Sequence, residues 1–329
     1  MHEKGSKMRV SPALVLFFLA PAMGELLVGS APPSEFFNPF SLILLSSLYG
    51  SGALIVRELK VRWKKTYVSM FILGSAYGVI EEGLMVKSFF DPEWMDLGIL
   101  AEYGRWQGFN WVWAEWLTIY HAIFSISIPI TLVELAYAER RNERWVGNRK
   151  LFALISVLGG VTALGYFGLT DYRPPPIQYL STATSVVILI LLAQKVSPET
   201  GKKGSLLQPR PSRIALAGFL AASILFLLFM AGPYLIPGPL VLMSLGAVLV
   251  SLTFSFLKRY EWDDRTLYHK FALIAGAVAF LIALTPLQEL DRSRPDNPQG
   301  MLIVGIAALI LLLLLRRKLM KEQKSLRLA

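Results

Sequence analysis

The chain has 329 residues, of which 54% are hydrophobic and 17% are charged, and its mean hydropathy is +0.50. An ordinary soluble domain carries about 25% charged residues, so this composition excludes that class and indicates a membrane protein. The sequence contains no cysteine, which excludes disulfides, thiolate catalysis and cysteine-ligated metals.

Apolar runs recur along the chain at roughly the length that a helix needs to cross a bilayer, about 17–25 residues. The basic stretch before the first run also fits a signal peptide, but the weak small-residue site in LAPAMG favours a retained span. We therefore predict an all-α, polytopic integral membrane bundle of about ten transmembrane helices. The predicted spans are 11–29, 40–56, 67–87, 111–137, 151–169, 177–194, 214–232, 238–257, 271–287 and 300–315.

Lys and Arg residues predict the orientation, because they concentrate in cytoplasmic loops near helix ends. With both termini cytoplasmic, the basic residues left in outer segments are Lys87, Arg105, Arg173, Arg292 and Arg294. The net charge of +10 is then spread over every inner segment, whereas a nucleic-acid partner would require one basic surface. We expect a multi-pass protein of the cell membrane whose partner is the lipid bilayer, with anionic headgroups near the inner loops.

Ionisable groups divide the predicted spans into two sets. Spans five to ten are nearly free of them and are rich in Leu, Ala, Val, Ile and Gly. We therefore predict that residues 1–140 carry the intramembrane polar groups and that residues 141–329 form an apolar scaffold with a basic C-terminal tail. Glu134 lies beside Arg140 and Arg141 and is interpreted as a solvated helix end. The groups within or at the ends of the first four spans are Glu25, Glu81, Glu82, Lys87, Glu115, His121 and Glu134.

Two adjacent carboxylates, Glu81 and Glu82, lie in the third predicted span. A carboxylate at the centre of a membrane helix costs about 2.5–3.5 kcal/mol on insertion scales. Such a pair suits a general base, a proton relay or half of a metal site. A purely structural interpretation is also open, in which Glu82 reaches the outer interface or pairs with Lys87.

The helical rise places several of these groups at similar depths. Glu25 and Glu81 lie roughly 21 Å above the inner ends of their helices, and His121 lies about 15 Å below Trp111 on the descending fourth span. If the first four spans bundle, we expect these groups and Glu82 to converge on one cavity in the outer half of the membrane.

Helical spacing adds neighbours to this cavity, because residues three or four positions apart share a face. Tyr77 shares the face of Glu81, whereas Thr118 and Ser125 share that of His121. Small residues at Gly74 and Gly78 would let another backbone approach the acidic pair. The predicted cavity or substrate-binding residues are Glu25, Tyr77, Glu115, Thr118, Ser125, Trp106 and Trp111.

The longest outer segment joins the third and fourth predicted spans and is rich in tryptophan. Aromatic residues concentrate at membrane interfaces, so one interpretation is an interfacial belt. A second interpretation is a lid over the cavity. Both predict the same positions for Trp94, Trp106, Trp111, Trp113 and Trp116.

Two short motifs resemble those of a known family. They are EEGLMVK and, some forty residues later, LTIYH. They resemble the two leading motifs of the CAAX-protease and bacteriocin-processing membrane proteins and of the glutamate-type intramembrane proteases. The resemblance implies that Glu81 activates a water and that His121 holds the developing oxyanion, with Glu82 completing the catalytic set. Val86 stands where that family has Arg, and Leu117 stands where it has an aromatic residue. No second intramembrane histidine follows.

Three functions remain open at this point. The first is an intramembrane glutamate-dependent hydrolase acting on a membrane-embedded peptide or small molecule, with Glu81, Glu82 and His121 as catalytic residues. The second is a proton- or cation-coupled transporter, in which the same acids bind the coupling ion. The third is a non-catalytic membrane scaffold. The sequence specifies neither a metal nor another cofactor.

Overall fold

A computed structural model describes residues 10–197, 209–260, 262 and 266–328, with side chains as far as Glu322. Helices dominate these residues, and every predicted span is helical. The helices are α1 Pro12–Leu26, α2 Pro33–Phe36, α3 Pro39–Arg62, α4 Tyr67–Met85, α5 Trp111–Ala136, α6 Asn148–Leu169, α7 Pro176–Lys195, α8 Pro211–Leu235, α9 Pro239–Lys258, α10 Leu267–Leu290 and α11 Met301–Leu328.

Within the described residues, eight helices, α3 to α10, are long and apolar enough to cross a membrane. Helix α1 is a shorter apolar helix, and the apolar run of α11 ends at Arg316. The predicted all-α polytopic class is therefore confirmed. The cytoplasmic placement of the two termini stays a prediction.

Helix α5 lies at the centre of the bundle. In its most apolar stretch 78% of the residues are buried, against 11% in α6 and in α9, so α5 is enclosed by protein and the other two helices face outward. Helices α1, α3 and α4 contact α5 on one side. Helix α10 packs along both α8 and α11. Gly218 and Gly276 allow the close α8–α10 crossing, because each faces backbone of the other helix.

Five helices contain a π-helical turn, in which an extra residue widens the helix. Such turns are frequent at functional sites because they redirect side chains. The turn in α5 ends shortly before Pro129, which has no backbone N–H to donate. The turns are Ala22–Leu26 in α1, Ser46–Gly50 in α3, Val79–Met85 in α4, His121–Ser127 in α5 and Gly165–Leu169 in α6.

The segment between α4 and α5 folds over the ends of these helices. It contains a 3₁₀ turn, Gly98–Ala101, and a hairpin of β1 Arg105–Trp106 and β2 Phe109–Asn110. The hairpin turn has positive φ at two successive residues, 52° and 73°, as a two-residue type I′ turn requires. Asn110 then caps α5 by accepting a 2.9 Å hydrogen bond from the Trp113 N–H.

The tryptophans of this segment and of the first turns of α5 differ in exposure. Trp113 and Trp116 are buried, whereas Trp106 is 64% and Trp111 is 44% exposed. The exposed residues Trp106 and Trp111 fit the predicted interfacial belt. The buried pair belongs to the hydrophobic core.

Buried charges connect α3 and α5 at the opposite end of the bundle. Glu134 is 5% exposed, and its carboxylate lies 2.8 Å from Lys60 and 3.5 Å from Arg57. The interpretation of Glu134 as a solvated helix end is therefore wrong. Arg57 also contacts Glu58 at 2.9 Å and lies 3.6 Å above the Trp145 ring, so the following loop folds back over this charge cluster.

Candidate functional site

The predicted acidic pair and histidine meet between α4 and α5. His121 Nδ1 lies 3.2 Å from Oε2 of Glu81, and His121 Nε2 lies 3.0 Å from Oε1 of Glu82. Ser125 Oγ lies 3.0 Å from the same Nδ1 atom. His121 is 2% exposed and Glu81 is 5% exposed, so these electrostatic contacts act where water screens them weakly.

Local backbone features bring the three groups together. Glu81 and Glu82 lie on the π-helical turn of α4, and His121 begins that of α5. The helices can approach closely here because α4 presents glycines. A Cβ atom on Gly74 would lie 2.9 Å from Cα of Ala122, and one on Gly78 would lie 3.0 Å from Cβ of His121. The predicted role of these glycines agrees with this packing.

Helices α1 and α3 complete the enclosure. Tyr49 of α3 donates a hydrogen bond to Glu25 of α1. The rings of Tyr49 and Tyr77 lie 6.0 Å and 6.1 Å from the imidazole of His121. The predicted convergence of Glu25, Tyr77 and His121 is thus present in the structure, and each π-helical turn of α1, α3, α4 and α5 contributes a polar side chain.

Glu82 also makes polar contacts with the segment that follows α4. Ser88 donates a hydrogen bond to Oε2 of Glu82, and Trp113 Nε1 donates to Ser88 Oγ at 3.0 Å. Lys87 instead donates to the carbonyls of Tyr166 and Thr170 at 2.9 Å and 3.2 Å. The alternative pairing of Glu82 with Lys87 is therefore absent.

Two buried polar atoms in the cluster have unused hydrogen-bonding capacity. Oε2 of Glu81 and the hydroxyl of Tyr77 make no hydrogen bond of regular geometry with any described group. Buried polar groups are nearly always satisfied by protein or ordered water. Tyr77 and Glu81 lie close enough to interact directly, so the two groups partner each other across one turn of α4.

Donor atoms of Glu81, Glu82 and His121 lie within 4.8 Å of one another, and carboxylates with imidazole suit divalent metals such as zinc or manganese. The observed contacts fit a different arrangement. Each carboxylate faces a different ring nitrogen, whereas a metal ligand uses one nitrogen for the ion. A shared metal would therefore require the imidazole or Glu81 to turn.

A cleft of about 280 Å³ lies beside the cluster and is lined in part by residues of α4 and α5. Thr118 links the two, since it lines the cleft one helical turn from His121. Glu115 and Trp111 also belong to the cleft, whereas the exposed Trp106 lies outside it. The lining residues are Val79, Phe89, Phe109, Trp111, Ala114, Glu115, Thr118, Ile119, Thr182, Ser185 and Met243.

The predicted single cavity is thus a buried cluster and a neighbouring cleft. Sequence reasoning missed Tyr49, Ser88 and Trp113 as parts of the cluster. The depth argument contained a signal for Tyr49, because it lies ten residues after Pro39 on a descending span, about 15 Å deep. That is the depth predicted for His121.

Apolar helices around a buried carboxylate–imidazole cluster define a polytopic membrane protein with an intramembrane polar site. Residues 14–288 match the model of an uncharacterized membrane protein family, and the chain belongs to that family. Comparisons with curated proteins and with solved structures gave no match. The family description names no activity, so the resemblance to glutamate-type intramembrane proteases stays a hypothesis.

Proposed function

We propose that the chain is an intramembrane, glutamate-dependent hydrolase that acts on a membrane-embedded peptide or small molecule. The observation that carries this proposal is the placement of Glu81 and Glu82 against the two ring nitrogens of His121, at 3.2 Å and 3.0 Å. A general base must lie within hydrogen-bond reach of its proton, and its orientation must be fixed by neighbours.

Hydrogen bonding assigns different roles to the two carboxylates. Both oxygens of Glu82 have partners, His121 and Ser88, so Glu82 orients the imidazole. Oε2 of Glu81 has no regular hydrogen bond and faces Nδ1 of His121 at 3.2 Å, so it can accept a proton from a water that displaces this contact and attacks the carbonyl carbon. Nδ1 of His121, released from Glu81, then donates a hydrogen bond to the oxygen on which negative charge develops. Glu81 passes its proton to the leaving amine or alcohol as the scissile C–N or C–O bond breaks, and the water oxygen stays on the carbonyl carbon.

Substrate access from the bilayer is consistent with the adjoining cleft. Thr118 lines the cleft and lies three residues before His121, so the two compartments share a wall of α5. A substrate carbonyl group that entered the cleft beside Thr118 would be separated from the cluster only by this part of α5.

The proposal is tested by hydrolysis in water labelled with oxygen-18. Purified full-length protein is reconstituted in liposomes with a library of transmembrane peptides, and the products are examined by mass spectrometry. We expect labelled carboxyl termini with the wild type and at least about a 100-fold lower rate with Glu81→Gln. Glu143→Gln, at an exposed carboxylate, is the control and should retain the wild-type rate. Equal cleavage by Glu81→Gln and wild type would exclude the mechanism.

A second candidate, a proton-coupled carrier, is favoured by one specific observation. A continuous series of polar contacts runs through the cluster, as in proton relays in membranes. Its members are, in order, Glu81, His121, Glu82, Ser88 and Trp113. Liposomes containing a pH-sensitive dye distinguish the two candidates. Proton flux that Glu82→Gln abolishes would support the carrier, whereas the hydrolase predicts no flux. A scaffold predicts neither flux nor cleavage.

A further inference from the structure

The cleft beside α5 has features of a binding site in its own right. We propose that it binds an amphiphile with an ammonium head group, which pairs with Glu115 while the hydrocarbon chain lies between α7 and α9. This inference goes beyond the proposed hydrolase, because it concerns binding and requires no reaction at Glu81.

Glu115 supplies the reason for a cationic head group. Its Oε2 atom is buried and makes no hydrogen bond with any described group. An unpaired carboxylate in a low-dielectric site is costly, and a bound cation removes that cost.

The depth of Glu115 matches that of a lipid head group. It is four residues after Trp111, hence about 6 Å along the axis from the start of α5. Trp111 is 44% exposed and has the interfacial character of a belt residue. An ammonium group at Glu115 would therefore remain near the membrane surface.

The walls of the cleft suit a hydrocarbon chain. Phe109, Ile119 and Met243 are apolar lining residues. Helices α7 and α9, which form its outer side, are only 17% and 11% buried in their apolar stretches, so a lipid chain can enter from the bilayer.

A glycine on α9 allows this helix to approach the carboxylate closely. A Cβ atom on Gly246 would lie 3.2 Å from Oε1 of Glu115 and 2.7 Å from the Phe229 ring. Any larger residue at this position would clash sterically with the carboxylate. Gly246 therefore lets α9 pack directly against Glu115 at the edge of the cleft.

The test uses two photoreactive probes of equal chain length, an alkyl amine and an alkyl alcohol, each with a diazirine near the chain end. Purified full-length protein in non-ionic detergent is labelled, and the modified peptides are identified by mass spectrometry. We expect the amine to label the α7 and α9 residues of the cleft at least about tenfold more than the alcohol. Glu115→Gln should remove that preference.

Filling the cleft provides an independent check. Ser185→Phe places a ring among the lining residues and should suppress labelling by both probes. Ser181→Phe makes the same change on the exposed face of α7 and should leave labelling unchanged. Equal labelling by the two probes in the wild type, or an amine preference that survives in Glu115→Gln, would overturn the proposal. If Ser185→Phe does not fold, the Glu115→Gln comparison still decides.

Discussion

His121 Nε2 on α5 lies 3.0 Å from Oε1 of Glu82 on α4. This contact joins the two most enclosed spans of the bundle through side chains whose insertion into a membrane is unfavourable. His121 also contacts Glu81 and Ser125, and Glu82 also accepts from Ser88, so the polar partners of both residues come from one network of protein groups. Substitutions in this cluster must therefore be judged by stability and activity together.

Replacing Glu81 by Gln separates a catalytic role from a structural one. Gln keeps the size and hydrogen-bonding capacity of Glu but cannot accept the proton of a water molecule. We expect the melting temperature in detergent to stay level or rise, because a neutral amide is tolerated in the membrane at least as well. Hydrolysis should fall by about 100-fold or more. An unstable but fully active variant would contradict the assigned role.

Replacing Gly74 by Val tests the close approach of α4 to α5. The new Cβ atom would lie 2.9 Å from the Ala122 backbone, so one helix must move. We expect destabilisation of about 1–3 kcal/mol, as for other overpacked sites, measured as a lower melting temperature in detergent. Gly160→Val is the matched control, because nothing lies within 4 Å of its Cβ position. A similar loss in both variants would show that the close approach at Gly74 is not responsible.

Replacing Arg57 by Met tests the charge cluster at the other end of the bundle. The side chain of Arg57 is fully buried, and its loss leaves Glu58 and Glu134 without this partner. Breaking such a buried pair costs about 3–5 kcal/mol. Arg140→Met removes an exposed pair with Glu143 and should cost about 1 kcal/mol or less. Denaturation of both variants in mixed micelles measures the difference, and equal losses would refute the structural role of the cluster.

The helices were predictable from the sequence because bilayer thickness imposes a length on every apolar run. The convergence of Glu25, Glu81 and His121 was predictable too, since helical rise fixes depth. Contacts with residues from distant segments of the chain were not predictable from the sequence. Glu134 looked solvated because its ion pairs come from Lys60 and Arg57, more than 70 positions earlier.

The separation of Glu115 from the cluster follows from helix geometry. Glu115 and His121 are six residues apart, and at 3.6 residues per turn this places them roughly 240° apart, on different faces of α5. The sequence-based prediction had assigned both residues to one cavity. The π-helical turns, in contrast, have no simple sequence pattern, because they depend on packing against neighbouring helices.

Topology reporters test the orientation deduced from Lys and Arg placement. A reporter fused after Lys65, Lys150, Ser212 or Lys324 should be cytoplasmic, because basic residues concentrate on that side. A reporter inserted near Asp96 or Asp296 should be external. Opposite signals at these two groups of sites would reverse the orientation of the bundle.

An acid-sensitive contact is expected in the segment between α10 and α11. Arg294 donates to Asp296 through Nε at 2.7 Å and through Nη2 at 2.5 Å, and Nη2 also donates to the Gly29 carbonyl at 2.6 Å. These hydrogen bonds from Arg294 hold the pKa of Asp296 below its ordinary value of 3.8. The segment is thereby attached to the end of α1.

The sign of the pH effect follows from this lowered pKa. Asp296 contributes its stabilisation above pH 3.8 and loses it as the pH falls through the lower pKa of the folded state. Because the pair is partly solvated, the contribution is about 0.2–1 kcal/mol. Asp296→Asn should therefore lower the melting temperature at pH 6 and match the wild type once the pH is well below 3.8. Glu139→Gln, at an exposed carboxyl on another loop, is the control and should follow the wild type throughout. A deficit of Asp296→Asn that is the same at both pH values would show that the carboxylate charge does not stabilise this contact.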